Sequence, residues 1–165
     1  MIVVAIVFMV QTDSWYLAFK GLHVVAAVLW IGGGTMLTFL ALVAERSQDP
    51  ERMLALVRQA EWAGTRVFAP ASVLVLAFGI AMVVNASFDW GTFWISFGLA
   101  AWALSAVTGN FYLTPQIKKL NGLLSERGPA DADVQALIRR ILLAARLDVA
   151  VLLLIVVDMT VKPFS

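Results

Sequence analysis

The sequence predicts an all-α integral membrane protein, an up-down bundle of four transmembrane helices, and three observations carry that prediction. The chain of 165 residues is 61% hydrophobic and 14% charged, with a mean hydropathy of +0.88. A soluble domain carries about 25% charged residues, so this composition has too little polar surface to face water all round. The apolar residues also fall into four blocks of spanning length. Finally, ten of the twelve basic residues gather in two connections and the helix ends that flank them.

A bilayer core of about 30 Å takes roughly 20 apolar residues per helix. Leu17 to Val43, Val67 to Val84, Phe93 to Leu113 and Ile141 to Val161 meet that length. In lipid only helices and closed barrels satisfy the backbone polar groups. These runs are too long and too continuously apolar for barrel strands. The whole chain, 1–165, reads as one domain.

Orientation follows from Lys and Arg, which favour cytoplasmic loops. Arg46, Arg52, Arg58 and Arg66 lie between spans one and two. Lys118, Lys119, Arg127, Arg139, Arg140 and Arg146 lie around the junction of spans three and four. Only Lys20 and Lys162 fall on the other side, where Asn85–Gly91 is a tight turn without a basic residue. Both termini are therefore expected outside, in a bacterial cytoplasmic membrane, with Trp15, Tyr16, Trp90 and Trp94 as an outer aromatic belt.

Asp49-Pro50 reads as an N-cap followed by proline at the first helical position. Met53, Leu56, Val57 and Ala60 then recur at helical spacing, which predicts a cytoplasmic amphipathic segment that lies on the membrane or runs into span two. Pro70 is expected to kink that span. Gly122, Gly128 and Pro129 are read as breaks, with Asp131 or Asp133 starting the run into the last helix. Met1 to Val10 is apolar but spans only about 15 Å as helix. It lacks the basic start and cleavage site of a signal peptide, so it is expected to lie along the outer surface or to dock on a partner subunit.

Several function classes drop out. Without cysteine there is no disulfide, thiolate metal site or cysteine nucleophile. A net charge of +1 gives no electrostatic footprint for nucleic acid. No phosphate loop, paired-histidine motif or catalytic triad is legible, and no enzyme assignment follows.

What remains is a set of polar and small residues inside the spans. His23, Ala26, Ala27, Trp30, Gly33, Gly34 and Leu37 share one helical stripe. Gly32-Gly33-Gly34 serves close helix packing or leaves room for a flat ligand. A histidine above a lane of Ala and Gly suits an axial ligand of a macrocycle, with Trp30 and Gly32 to Gly34 lining the pocket. Asp158, at the same depth on span four, is the candidate to orient the imidazole. His23 with Met82 and Met159 would instead make a soft copper site. Near the inner surface, Arg66 and Asp148 are natural partners, beside Glu61 and Arg146, and Thr108 and Asn110 extend that cluster.

Leu22-His23 with Trp30-Ile31-Gly32-Gly33, Arg66-Val67-Phe68-Ala69-Pro70 leading to Gly79, and Met159-Thr160-Val161-Lys162-Pro163 together resemble a bacterial four-helix family described as predicted integral membrane proteins of unknown function. That family resembles the copper-resistance D membrane domain and, more remotely, the HemJ-type protoporphyrinogen oxidases. The HemJ-type resemblance implies haem b on a first-span histidine, matched here by His23 alone, with no second histidine. The copper-resistance resemblance implies inward movement of copper. The leading expectation is a membrane protein binding haem b or a porphyrin through His23, in electron transfer or haem handling. The alternatives are an accessory or scaffold subunit that binds no cofactor, as a homodimer or docked on a partner membrane protein through Met1 to Val10, and a copper-handling protein.

Overall fold

Asp49 starts a helix as its sequence context predicts. Its carboxylate accepts the N–H groups of Glu51 and Arg52 at 3.0 and 3.3 Å, with Pro50 in the first turn. Asp131 does the same for the last helix, accepting from Asp133 and Val134. Such oxygens satisfy N–H groups that have no partner within the helix. In a computed structural model that describes residues 14–47 and 49–163, the result is four long helices, with no strand among the described residues. We number them α1 (Trp15–Ser47), α2 (Glu51–Asn85), α3 (93–127) and α4 (Ala132–Val161). Met1 to Val10 lies outside the described residues.

The helices run past the expected spans, because the connections are themselves helical. The stretch read as an amphipathic segment continues without a break into α2. Gly122, expected to interrupt the chain, lies inside α3, and the break falls at Gly128, whose φ of 77° suits glycine. With 33 residues, α1 is about 50 Å long, well beyond a bilayer core of about 30 Å.

The surplus length lies at the end that carries Arg46, Arg52, Lys118, Lys119 and Arg139, here called the basic end. There the four helices close on a core that includes Leu56, Val57, Leu120, Val134, Ile138 and Leu142. Leu120 and Val134 are 1% and 0% exposed. Leu56 and Val57 face this core, so the amphipathic stripe is turned toward the other helices.

Away from the basic end many apolar residues face outward. Val28, Phe39, Val73, Leu104, Leu147 and Val157 are all exposed, with at least one on each helix. Among the described residues only α1 and α2 are long and apolar enough to cross a membrane by composition alone, with 22% and 17% of their most apolar stretches buried. The corresponding part of α4 is interrupted by Arg146, Asp148 and Asp158, and that of α3 is diluted by Gly, Ser, Thr and Asn.

Three helices widen into a π-helical turn, at Val28–Gly32, Gly64–Phe68 and Thr108–Leu113. The last two each end two residues before a proline, Pro70 and Pro115. Proline lacks an N–H and its ring crowds the carbonyl four residues back. Widening the turn just ahead accommodates it, and α2 continues through Pro70 as helix. The Thr114 hydroxyl donates to the Gly109 carbonyl at 2.9 Å, filling an acceptor in the widened turn. In α1 the π-turn sets the adjacent Trp30 and Ile31 both into the interior, each 8% exposed.

Candidate functional site

The helices pair differently at the opposite end of the bundle, the aromatic end. There α1 packs closely on α2 and α3 on α4, while the two pairs touch sparsely. Between them lies a cavity of ≈ 440 Å³ with almost wholly apolar walls. That volume falls within the roughly 300–1,000 Å³ typical of small-molecule and cofactor sites.

His23 stands in the α1 wall of this cavity. Its Nδ1 lies 2.8 Å from the Val75 carbonyl oxygen of α2. A carbonyl only accepts, so Nδ1 carries the proton, and a neutral ring in this arrangement has its lone pair on Nε2. The ring fits against α2 because residue 79 is glycine, whose absent Cβ would stand 3.3 Å from His23 Cε1. A ring nitrogen fixed by a backbone carbonyl is the arrangement that sets tautomer and orientation in ligating histidines.

Asp158, expected in that role, is replaced in it by the Val75 carbonyl. Asp158 is 6% exposed, and neither carboxylate oxygen has a hydrogen-bond partner among the described residues. It lies beside Gly98 of α3 and does not line the cavity. Its neighbour Met159 does, with its terminal methyl against the bare Cα of Gly98. Met82 lines the same cavity from α2. His23, Met82 and Met159 thus share one space but approach it from two walls.

The three consecutive glycines of α1 divide their roles. Gly32 lines the aromatic-end cavity together with Trp30. Gly33 packs against Phe68, whose Cε1 would lie 2.5 Å from an added Cβ. Gly34 lines a second cavity of ≈ 180 Å³ toward the basic end. Gly33 and Gly34 therefore do not line the space beside His23.

Trp30 borders both cavities and forms the partition with Ile31, Ala71 and Leu152. Trp102 braces it by donating Nε1–H to the Ser72 carbonyl at 3.0 Å. The second cavity includes Glu61, Ser105, Asn110 and Asp148 in its lining. The expected Arg66–Asp148 pair does not form. Arg146 instead pairs with Glu45 at 2.7 Å, and Glu61 accepts from Asn121 Nδ2. Asn110 turns back on its own helix, donating to the Ala106 carbonyl at 2.9 Å.

Aromatic rings close the far side of the larger cavity. Phe88 and Trp94 meet edge to face at 5.6 Å, and Tyr16 lies edge-on to Phe88 at 6.2 Å. Of the rings expected in an outer belt, Trp94 is buried in this cluster, whereas Trp15 and Trp90 remain exposed. Lys162 ends α4 in a left-handed conformation, and its ammonium lies 4.7 Å from the Trp94 ring centre. A cation thus rests on the aromatic rim of an otherwise apolar chamber. The cavity, the Val75 acceptor and the position of Lys162 all depend on tertiary pairing, and sequence spacing carries no direct signal of them.

The donor set limits the chemistry. No group of three or more His, Asp or Glu side chains is placed to hold a metal ion among the described residues. A macrocycle that brings its own nitrogen ligands needs only one or two axial side chains from the protein. The imidazole of His23 is a side chain of that chemical type in the cavity wall.

The family model described as "Predicted integral membrane protein (DUF2269)" matches residues 17–163. No curated protein and no solved structure matches the chain. The resemblance to copper-resistance D and HemJ-type proteins gains no support from these comparisons.

Proposed function

The chain belongs to this family of predicted integral membrane proteins, and from that premise we propose a four-span bundle that holds haem b or a related porphyrin through His23. The outward apolar residues on all four helices support four spans. The placement of Arg and Lys supports a cytoplasmic basic end, with both termini outside, in a bacterial cytoplasmic membrane.

One observation carries the cofactor reading. His23 has Nδ1 committed to Val75 and a free Nε2, in the wall of a ≈ 440 Å³ apolar chamber. Apolar walls suit the faces of a porphyrin, and Trp30 and Gly32 are among the residues that line them. Lys162 at the aromatic rim suits the anionic edge of such a molecule. The role is electron transfer or haem handling, and no residue is assigned to catalysis.

The test is an absorption spectrum of the protein purified in mild detergent, before and after dithionite, with metal analysis on the same sample. A Soret band that sharpens on reduction, with iron near one per chain or per dimer, is expected. His23→Ala should abolish the pigment while leaving the helical content intact, and a full Soret band in that variant overturns the assignment. A colourless protein with copper would favour the His23, Met82 and Met159 reading, which rests on their shared cavity. A colourless, metal-free protein would leave the accessory-subunit reading.

A further inference from the structure

We infer that the occupant of the aromatic-end cavity is gripped from both walls, by His23 from α1 and by the thioether of Met159 from α4. This rests on the porphyrin reading and deepens it, since it names the second axial ligand. The two side chains line the same cavity from opposite helix pairs. Each is seated on a glycine of its neighbouring helix. Gly79 of α2 leaves room for the His23 ring, and Gly98 of α3 leaves room for the Met159 methyl. A Cβ at either position would press on the donor side chain.

The other methionine of the cavity does not have this placement. Met82 lies on α2, three residues beyond Gly79, in the helix pair that carries His23. A flat macrocycle held by His23 would have the α3·α4 wall on its other side, and Met159 lines that wall. A thioether is also the donor best suited to an apolar wall, because it carries no charge and needs no hydrogen-bond partner. A His/Met pair fills both axial positions and favours the reduced metal, which raises the reduction potential relative to nitrogen-only ligation. The site is then closed to small exogenous ligands, unlike an oxygen-activating haem.

The experiment uses the pigmented protein as purified, with Met159→Leu and Gly98→Ala as variants. Gly98→Ala keeps Met159 but displaces its flexible end. The wild-type ferric spectrum should show the weak red-edge sulfur-to-iron charge-transfer band, and the dithionite-reduced protein should fail to bind carbon monoxide. Met159→Leu should lose the band, bind carbon monoxide stoichiometrically and shift to a lower midpoint potential. Gly98→Ala should weaken or lose the same band. A His23-dependent pigment whose spectrum and potential ignore Met159→Leu overturns the inference and leaves the porphyrin reading standing. Carbon monoxide binding by the wild type does the same. A protein without pigment overturns both.

Discussion

His23 of α1 donates its Nδ1–H to the Val75 carbonyl of α2, and the residue that permits this is Gly79, one turn further along α2. In an α-helix the carbonyl of residue 75 already accepts the N–H of residue 79. With no side chain on residue 79, a second lone pair of that carbonyl stays within reach of the imidazole. Gly79→Val should therefore dislodge the ring and lose a bond worth about 0.5–1.5 kcal/mol. The pigment should be lost or spectrally altered together with the bond. Gly79→Ala, with 3.3 Å between its Cβ and Cε1, should retain the pigment with a small spectral shift. Comparing the two variants spectroscopically, with melts in detergent, checks the ordering.

The glycine triplet of α1 offers a second test, since its members look alike in sequence and differ in surroundings. Gly33→Ala places a Cβ 2.5 Å from the Phe68 ring and should destabilise by about 1–3 kcal/mol through overpacking. Gly32→Ala and Gly34→Ala meet nothing within 4 Å. Both should be neutral or stabilising, by up to about 1 kcal/mol, since alanine favours a helix interior. Thermal melts of the three variants check this. Equal destabilisation by all three would mean that the triplet packs as one surface.

The features legible in the sequence are those set by local chemistry. Asp49 and Asp131 cap helices because their carboxylates reach N–H groups two and three residues away. The apolar blocks place the four helices because their length is a local property. Gly122 misled because glycine within a helix is only a modest penalty, whereas Gly128 adopts a positive φ that ends α3. The expected Arg66–Asp148 pair failed for a different reason. Arg146 reaches Glu45 across 101 residues, and only the packing of α1 on α4 decides that choice. The same limit applied at the site, where His23 stood out as the lone imidazole but its backbone partner did not. A backbone carbonyl has no sequence signature.

Asp158 makes the third prediction. Its carboxylate is buried at the α3·α4 contact, with no hydrogen-bond partner for either oxygen among the described residues. An unsatisfied buried polar group costs about 1–3 kcal/mol, more when it is charged. Asp158→Leu should therefore raise the thermal midpoint of the purified protein. A lowered midpoint would mean that the carboxylate has a partner in the native membrane, such as a bound cation or an ordered water. Lys162 is not that partner here, since its ammonium lies over Trp94 and Phe88.

The last prediction separates the two kinds of apolar surface on this bundle. Leu120 at the basic end is 1% exposed within the four-helix core, whereas Leu147 of α4 is 61% exposed. Leu120→Ala leaves a cavity in packed protein and should cost about 2–5 kcal/mol. Leu147→Ala removes no comparable packing inside the bundle and should cost well under about 1 kcal/mol in detergent, where apolar chains surround it. A polar change nearer the middle of the span, at Leu154, which is 56% exposed, has a different reference, because the surroundings are lipid and not water. Leu154→Asp should impair insertion, at about 2.5–3.5 kcal/mol for a charge near the centre of a span. Measuring membrane-integrated yield for Leu154→Asp beside detergent melts for the two alanine variants checks all three. Normal yield with Leu154→Asp would mean that this face of α4 meets water, and α4 would then lose its place among the spanning helices.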